Sequence, residues 1–357
     1  MLRATTKTIT IIIGIGLGIY ILLRILLAPE VVPGRRVFNV KPFSHVFIIV
    51  MENHGTRILT HNRNTPYIDH LMAVEGEDLK YDGVTHPSLP NYLALISGST
   101  QGQFTDSPQT SFQGPTLVSQ LQAHHKSWQA VMESIPYPGY SGAWYPNSTG
   151  SQSMAVPPNA LYAKKHDPFA FFRSISPSNL TQHTLNLTAF RNELRHGPVP
   201  NLVLITPNLC HDMHGQPNHT GASCPTARSG LLERMGDQFL ATWVPRIQRS
   251  SSWSGNAVIF ILWDEANVPR NFSTIPSYFR GAPGTPRIVG IPLGGGRVPL
   301  IVIDRQVKNP RPVAIICNHY CVLKTIENSW NLGYLGATQN PAVKTLVPLI
   351  PRPHSSR

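Results

Sequence analysis

The sequence has few charged residues, and acidic residues are the scarcer kind. Among 357 residues there are 18 Asp and Glu against 30 Lys and Arg, which gives a formal net charge of +12. A positive balance is typical of proteins with anionic partners, such as phosphate esters, a cell wall, a membrane face or nucleic acid. The sequence lacks a long Lys/Arg run and a basic stripe interleaved with aromatic residues. We therefore rank nucleic acid well below a small phosphate ester and predict no nucleic-acid binding.

Cysteine is also scarce, with four residues in the whole chain. They fall into two local pairs, Cys210 with Cys224 and Cys317 with Cys321. In an oxidising compartment each pair would close a short disulfide loop. A zinc site is an alternative, although the spacing matches no usual zinc finger, and free thiols are a third possibility.

A long apolar run lies at the N-terminus. Thr8–Leu23 carries no charge, and the segment counted to Leu27 has 20 residues, about the length that spans a bilayer. Arg24 interrupts the run near its end, where its side chain could reach the membrane interface. A cleaved signal peptide is the alternative. We favour an uncleaved signal anchor over residues 1–28, because no small-x-small cleavage site follows, with a linker over residues 29–42.

Five acceptor motifs for N-glycosylation support a secretory route. They begin at Asn147, Asn179, Asn186, Asn218 and Asn271. Together with the apolar run they predict an extracellular, cell-wall or membrane-anchored protein whose body lies outside the cytoplasm. The membrane is then a partner through the N-terminal segment, and no obligate protein partner is evident.

Apolar runs rich in β-branched residues alternate with segments of helical spacing. The runs predict buried strands over His45–Met51, Asn201–Ile205, Ala257–Trp263 and Arg297–Ile303. A shorter strand is predicted over Leu79–Thr85. Helices are predicted over Thr65–Val74, Thr116–Ala123, Leu231–Ser250 and Cys321–Trp330. This alternation predicts an α/β protein with a doubly wound, mostly parallel sheet over residues 43–347, followed by a basic tail over residues 348–357.

Acidic and amide residues follow three of the predicted strands. Glu52 and Asn53 end the first strand, Asp212 lies beyond the second, and Asp264 and Glu265 end the third. Since the carboxyl ends of parallel strands share one edge of a sheet, these side chains can converge. Carboxylates held together repel one another unless a cation lies among them. The pattern therefore predicts a divalent metal ion, which could be Mg²⁺, Mn²⁺, Ca²⁺ or Zn²⁺.

The stretch Val84–Thr100 carries a candidate nucleophile. Pro90 suits the first turn of a helix, which places Ser88 at or near the N-cap, where free N–H groups and the helix dipole favour an anion. A hydroxyl that attacks a phosphoester needs such a setting. The alternative is that Ser88 only caps the helix, and Thr85 is a weaker rival nucleophile. Four histidines are candidates for holding phosphate or protonating a leaving oxygen: His86, His166, His214 and His319.

Five segments in order resemble the signatures of a known family. They are VFIIVMEN, THPSLPNYLALISGST, ITPNLCHDMHG, VIFILWDE and NHYCVLKTIEN, within roughly Phe43–Gly336. The chain resembles the phosphoesterase family that includes fungal secreted acid phosphatases and bacterial phospholipases C and is related to the alkaline-phosphatase superfamily. It departs from the family at Ala266, where Gly usually follows the Asp-Glu pair.

The resemblance implies an α/β/α sandwich and a metal-dependent hydrolase of phosphate esters, foremost an acid phosphatase that works through a phosphoserine intermediate. A phospholipase C-type phosphodiesterase acting on phospholipid is the closest alternative, and a catalytically degenerate cell-surface binding protein is an alternative from another class. Carried over by position, the implied metal ligands are Glu52, Asn53, Ser88, Asp264 and Glu265. Ser88 is also the phosphoryl acceptor, and Asn91 a donor to phosphate. His86, His166, Asp212 and His319 match recurrent polar positions.

Overall fold

A seven-stranded sheet forms the centre of the structure, a computed structural model that describes residues 40–147, 150, 152–267 and 281–351. Its strands, in chain order, are β1 (Val46–Met51), β2 (Gly76–Glu77), β3 (Trp128–Met132), β6 (Thr184–Leu185), β7 (Leu202–Thr206), β8 (Val258–Trp263) and β11 (Leu300–Asp304). Two small hairpins complete the described strands: β4 (Trp144–Tyr145) with β5 (Tyr162–Ala163), and β9 (Arg287–Ile288) with β10 (Ile291–Pro292).

The strand order across the sheet is β2-β11-β8-β1-β7-β3-β6. Among the described strands β11 is antiparallel to both neighbours, and the other pairings in this sheet are parallel. The residues of β1, β7 and β8 are all buried, because a parallel sheet is covered on both faces. The prediction of a mostly parallel sheet is confirmed.

Helices lie on both faces of the sheet. They are α1 (Thr56–Leu59), α2 (Pro66–Val74), α3 (Ser88–Ser97), α4 (Leu117–Ala123), α5 (Pro177–His183), α6 (Leu187–His196), α7 (Ser229–Gln248) and α8 (His319–Trp330). Four short 3₁₀ turns cover Lys164–His166, Pro168–Phe171, Gly336–Gln339 and Val347–Leu349.

Two adjacent residues of β3 show how the layers are arranged. The ring of Trp128 stacks on His183 of α5 with centroids 4.5 Å apart, whereas the amide of Gln129 donates to Glu193 of α6 at 3.3 Å. Successive side chains of a strand point to opposite faces, so α5 and α6 cover opposite faces of the sheet. α7 packs on α6, while α3 contacts both α4 and α8. The α/β/α sandwich is therefore confirmed.

The parallel pairing brings distant polar residues to one edge. β1 and β8 run in register from Val46 opposite Val258 to Met51 opposite Trp263. The next residue of each strand follows at the same level: the backbone N–H of Asp264 donates to the carbonyl of Met51 at 2.9 Å. The N–H of Glu52 donates to the carbonyl of Asp212 at 2.8 Å, which fixes the loop after β7 beside it.

The predicted strand over Leu79–Thr85 is wrong. Tyr81 and Asp82 make isolated bridges, and the edge strand of the sheet is instead β2. The N–H groups of Asp82 and Gly83 donate to the carbonyls of Cys317 and Gly296, which lie in loops. The segment therefore finds its backbone partners outside any regular ladder.

Both predicted disulfides are present. Cys210 is bonded to Cys224 and Cys317 to Cys321, and no cysteine is left as a free thiol or zinc ligand. The second bond lies at the start of α8, next to His319.

The predicted membrane or signal segment, the linker up to residue 39 and residues 352–357 of the tail lie outside the described residues. The glycosylation motif at Asn271 does so as well. Within the part of the chain that the structure describes, no helix combines the length and the apolar character needed to cross a membrane.

Gly98 ends α3 in the left-handed conformation, with φ of 69°, and a Cβ there would lie against the carbonyl of Leu335. The left-handed conformation by itself costs an alanine roughly 1 kcal/mol. We expect Gly98→Ala to lower the free energy of unfolding by about 2 kcal/mol or more in addition, because of the contact with Leu335. Gly102 is a matched control, since it has the same φ of 69° and nothing within 4 Å of the added Cβ. Urea unfolding of both variants measures the difference, and equal losses would contradict the contact with Leu335.

Candidate active site

Ser88 is the first residue of α3, directly after Pro87 as N-cap. Its hydroxyl donates to Oε2 of Glu52 at 3.0 Å and accepts from Nζ of Lys165 at 3.3 Å. The residue is 1% exposed, so the hydroxyl is closed off from solvent, with Lys165 as part of its cover. The candidate nucleophile thus lies between a carboxylate and an ammonium group.

His166 joins two of the predicted acids. Its Nε2 lies 2.8 Å from Oε1 of Glu52, and its Nδ1 lies 3.2 Å from Oδ2 of Asp212. Burial would lower the pKa of His166, but the Glu52 charge and the hydrogen bonds to both carboxylates raise it to about 9. Burial would likewise raise the pKa of Glu52, yet His166 and Lys165 bring it below its usual range. The prediction of His166 as an acid or base stays a prediction, and the two contacts place its ring between Glu52 and Asp212.

Asp212, predicted as a metal ligand, is turned toward its own loop and His166. Its Oδ1 accepts from the backbone N–H of His214 at 2.6 Å, and its Oδ2 faces His166. Burial raises the pKa of Asp212 to about 6. These contacts place its carboxylate beside His166, and its role as a metal ligand stays a prediction.

Two residues that the sequence analysis missed, Lys165 and Asp106, occupy the start of α3. Asp106 accepts from the N–H of Leu89 at 2.9 Å and from Nζ of Lys165 at 3.0 Å. The anion at this helix end is therefore a protein carboxylate, where the sequence predicted the substrate. The one sequence feature that could have identified Lys165 as a site residue is its position next to His166. No sequence feature marks Asp106.

Lys165 also contacts His214. Its Nζ lies 3.1 Å from Nε2 of His214, while Nδ1 of that ring donates to the carbonyl of Gly215 at 2.8 Å. Burial and the Lys165 charge lower the pKa of His214 to about 4, so the ring is neutral and its Nε2 accepts from the lysine. This contact holds the ammonium group next to Ser88.

Asp264 and Glu265 form the other wall of the site. Oδ1 of Asp264 accepts from the N–H groups of Asn53 and Glu265, at 3.1 and 2.6 Å. Asn53 has φ of 51°, a left-handed conformation that Asn tolerates, and its amide donates to Glu52 at 3.2 Å. Burial, followed by the charges of Glu52 and Glu265, raises the pKa of Asp264. Ala266, the departure from the family pattern, continues the loop by donating to the carbonyl of Gly295 at 2.7 Å.

Glu265 pairs with His86 at the outer side of the site. Nδ1 of His86 lies 2.5 Å from Oε2 of Glu265, and the His86 side chain is 27% exposed against 7% for Glu265. His86 also lines a cavity of about 170 Å³ together with Thr85, Phe104 and Leu293.

Asn91 and His319, which were predicted to act on phosphate or on the leaving oxygen, both have their polar atoms engaged by neighbouring groups. Oδ1 of Asn91 accepts from the N–H groups of Val84 and Thr85, and its Nδ2 donates to the carbonyls of Thr85 and Pro87. Because these bonds use the whole amide, Asn91 clamps the turn before Ser88 and has no donor left for phosphate.

His319 is fixed in a similar way by its two ring nitrogens. Nδ1 lies 2.7 Å from the hydroxyl of Tyr81, and Nε2 lies 2.7 Å from the backbone carbonyl of Asp264. Burial lowers the pKa of His319 to about 4, so the ring is neutral. It supports the end of β8 and is a positioning residue.

The sequence model of the Phosphoesterase family matches residues 77–333. The chain belongs to this family. Among curated relatives, it is 25% identical to an acid phosphatase of Aspergillus fumigatus over 87% of this chain and 60% of the relative. It is 34% identical to a phosphate-repressible acid phosphatase of Penicillium chrysogenum over 40% of this chain and 33% of the relative. The chain thus spans about one third to three fifths of these fungal proteins.

Other similarities cover a larger share of the similar protein's own length. A phosphatidylinositol-3-phosphatase of Mycobacterium tuberculosis is 27% identical over 68% of this chain and 71% of its own length. A solved structure from Vibrio parahaemolyticus, described as a protein in the alkaline phosphatase superfamily, has a TM-score of 0.51 at 13% identity over 89% of this chain and 73% of that one. A phosphonate monoester hydrolase of Agrobacterium radiobacter has a TM-score of 0.50 at 12% identity, over 89% of this chain and 79% of that one. These structures confirm the alkaline-phosphatase-like fold.

The oxygen donors of this site fit a hard divalent cation. Among the described residues, no three His, Cys, Asp or Glu side chains already converge as a metal cluster. The predicted ligands, however, include an amide and a hydroxyl: Glu52, Asn53, Ser88, Asp264 and Glu265. Oδ2 of Asp264 is buried without a hydrogen-bond partner in the described part of the chain, and Asp264 and Glu52 repel each other. An unpartnered buried oxygen between like charges suits a cation.

We expect divalent cations to raise the unfolding temperature of the native chain and not that of Asp264→Asn. A cation present at a hundredfold its Kd adds about 2.7 kcal/mol to the free energy of unfolding. The raised pKa of Asp264 favours its neutral form when no cation is bound, so the substitution should change the metal-free stability little. Thermal melts in EDTA, and then with each candidate cation, test this.

Asp304→Asn is the matched control. Asp304 is also buried, with its pKa raised by burial to about 6, but it lies opposite Val258 at the other end of β8. Its variant should keep the full response to cations. If Asp264→Asn responds as the native chain does, the assignment of Asp264 as a ligand is wrong.

Proposed function

We propose that this chain hydrolyses phosphate esters, as an acid phosphatase that acts on monoesters through a phosphoseryl intermediate at Ser88. The observation that carries the proposal is the position of the Ser88 hydroxyl between Glu52 and Lys165. The relatives named acid phosphatase support the same substrate class.

Glu52 and Lys165 activate Ser88 in different ways. Glu52 is kept ionised by His166 and accepts the hydroxyl hydrogen bond, so it orients Oγ toward the entering phosphorus. Lys165 carries a fixed positive charge, which favours the developing alkoxide. Its flexible stem also lets the ammonium group move from Ser88 onto a phosphoryl oxygen, which opens access to the buried hydroxyl.

His86 is suited to the leaving group, because it reaches the cavity and is oriented by Glu265. As the bond from Oγ to phosphorus forms and the ester bond breaks, the hydroxyl proton of Ser88 passes to Glu52, and His86 gives its proton to the leaving oxygen. In the second step His86 takes a proton from water, the water oxygen bonds to phosphorus, the bond from phosphorus to Oγ of Ser88 breaks, and Oγ takes back the proton that Glu52 holds. Lys165, which His214 holds beside Ser88, is placed to bind a phosphoryl oxygen.

A divalent ion held by Glu52, Asn53, Ser88, Asp264 and Glu265 would add charge stabilisation for the phosphoryl group and make the hydroxyl more acidic. Its identity is part of the proposal and is tested by the melts above. We also propose a secretory location, with the N-terminal apolar run as the membrane attachment, on the sequence pattern alone.

A phosphodiesterase of the phospholipase C type is the second candidate. The cavity beside His86 has Phe104 and Leu293 in its wall, an apolar surface that would suit a second ester group. A panel of nitrophenyl phosphate, bis-nitrophenyl phosphate and phosphatidylcholine separates the two. A clear preference for either diester would reverse our ranking, and no turnover of any ester would favour a binding protein.

Ser88→Ala is expected to lower kcat for nitrophenyl phosphate about a thousandfold or more, because the phosphoryl acceptor is lost. The matched control is Thr85→Val. Thr85 is also buried, and its hydroxyl donates to the carbonyl of His86 at 3.4 Å. The control should retain most activity. Activity that survives in Ser88→Ala and disappears in Thr85→Val would transfer the nucleophile role to Thr85.

Lys165→Met is expected to lower kcat about a hundredfold or more with folding preserved, since one preorganised charge at the reacting group is removed. Neighbouring Lys164 is the control: its Nζ donates to the carbonyl of Pro108 at 2.9 Å and lies over the ring of Phe171. Lys164→Met should change kcat little. Steady-state kinetics on the two variants decide, and similar kcat values in both would remove Lys165 from the mechanism.

A further inference from the structure

A second concentration of positive charge lies where α6 and α7 end. A cavity of about 470 Å³ opens between these helices. Its wall contains four arginines: Arg191, Arg195, Arg246 and Arg249. None of them belongs to the site around Ser88, and no motif of the sequence analysis drew attention to them.

The helix geometry explains why the four side chains face one space. Phe190 of α6 stacks on Trp243 of α7 with ring centroids 5.8 Å apart, which fixes the two helices side by side. The two arginines of α6 are four residues apart. Arg246 of α7 and Arg249, the C-cap of that helix, are three residues apart, so each pair shares one face of its helix. The guanidinium of Arg246 lies 4.9 Å above the ring of Trp243. Burial and the charges of the other three arginines lower the pKa of Arg246.

These arginines lack salt-bridge partners in the described part of the chain. Among the described residues, none of the four forms a salt bridge with a carboxylate. Nε of Arg191 is buried without a hydrogen-bond partner in the same part of the chain. Four like charges and an unpaired buried donor are unfavourable together unless an anion joins them.

A structural explanation accounts for only part of this charge. Cations stabilise helix C-termini, and Arg195 and Arg246 lie in the last turns of α6 and α7. Each helix end carries roughly half a negative charge, so two ends offset about one of the four positive charges. A surplus of about three charges remains in the cavity.

The cavity is separate from the candidate active site. α6 leads into β7 and α7 leads into β8, so both helices end toward the amino ends of those strands, whereas Ser88 lies at the carboxyl edge. The six residues of β8 span roughly 20 Å between the two edges.

We propose that the arginine cavity binds a ligand that carries two or more phosphate groups. Guanidinium groups bind phosphate in a bidentate manner, and four of them need more than one phosphate group to be neutralised. The cavity volume is in the range of small-molecule sites. A soluble polyphosphorylated compound and a polyphosphorylated lipid headgroup share this chemistry.

The test uses the full chain with Ser88→Ala, so that the probe is not hydrolysed. One arm measures inositol hexakisphosphate by titration calorimetry. The other measures sedimentation with phosphatidylcholine vesicles that contain phosphatidylinositol bisphosphate, against vesicles without it. The cavity variants are Arg191→Gln with Arg246→Gln, which keep much of the aliphatic stems, and Arg195→Gln with Arg249→Gln, whose residues are exposed and whose loss does not threaten folding.

The charge-matched control is Arg173→Gln with Arg311→Gln, two exposed arginines outside the cavity. We expect each cavity variant to weaken binding about tenfold or more and the control about twofold or less. Weakening in the calorimetric arm supports a soluble ligand, and weakening only with vesicles supports a headgroup. Binding that is absent from both arms, or is weakened equally by the control, overturns the proposal.

Discussion

The organisation of this protein depends on how buried carboxylates are balanced at the carboxyl edge of a parallel sheet. Five acids gather there among the described residues: Glu52, Asp106, Asp212, Asp264 and Glu265. Facing them are Lys165 and the ion-paired histidines His86 and His166. Even with both histidines protonated, two negative charges stay without a partner. A divalent cation would offset that charge, and burial together with the charges of Glu52 and Glu265 raises the pKa of Asp264.

The short 3₁₀ turn Lys164–His166 carries two of the positive groups that face these acids, Lys165 and His166, and the two side chains have different partners. Lys165 turns to Ser88 and Asp106, whereas His166 turns to Glu52 and Asp212. The turn is held by the backbone bond from Lys164 to Ala143, next to the β4–β5 hairpin. The charge that covers Ser88 is therefore carried by a flexible side chain on a fixed backbone, which allows the site to be both closed and accessible.

Much of the fold could be predicted because its signals are local. The runs that became β1, β7 and β8 are apolar on both faces, which is typical of a strand covered by helices on each side. Leu79–Thr85 mixes apolar residues with Lys80, Asp82 and Gly83, and the N–H groups of Leu79, Asp82 and Gly83 bond to carbonyls that come more than 200 residues later. The composition of a segment indicates how much of it can be buried, but it does not predict which backbone groups will be its hydrogen-bond partners.

The sequence by itself determined that acids follow the buried strands and that Ser88 begins a helix. The signals for both are local: the length of each apolar run, the polar residues that follow it, and Pro90 in the first turn of the helix. Only the tertiary structure decided which polar groups meet. Lys165 reaches Asp106 across 59 positions, and Ser88 reaches Glu52 across 36. It also turned Asn91, His319 and Asp212 toward backbone and loop partners. A buried polar group takes whatever partner the packing brings within about 3 Å, and that choice is made by the packing of distant segments, which no local pattern encodes.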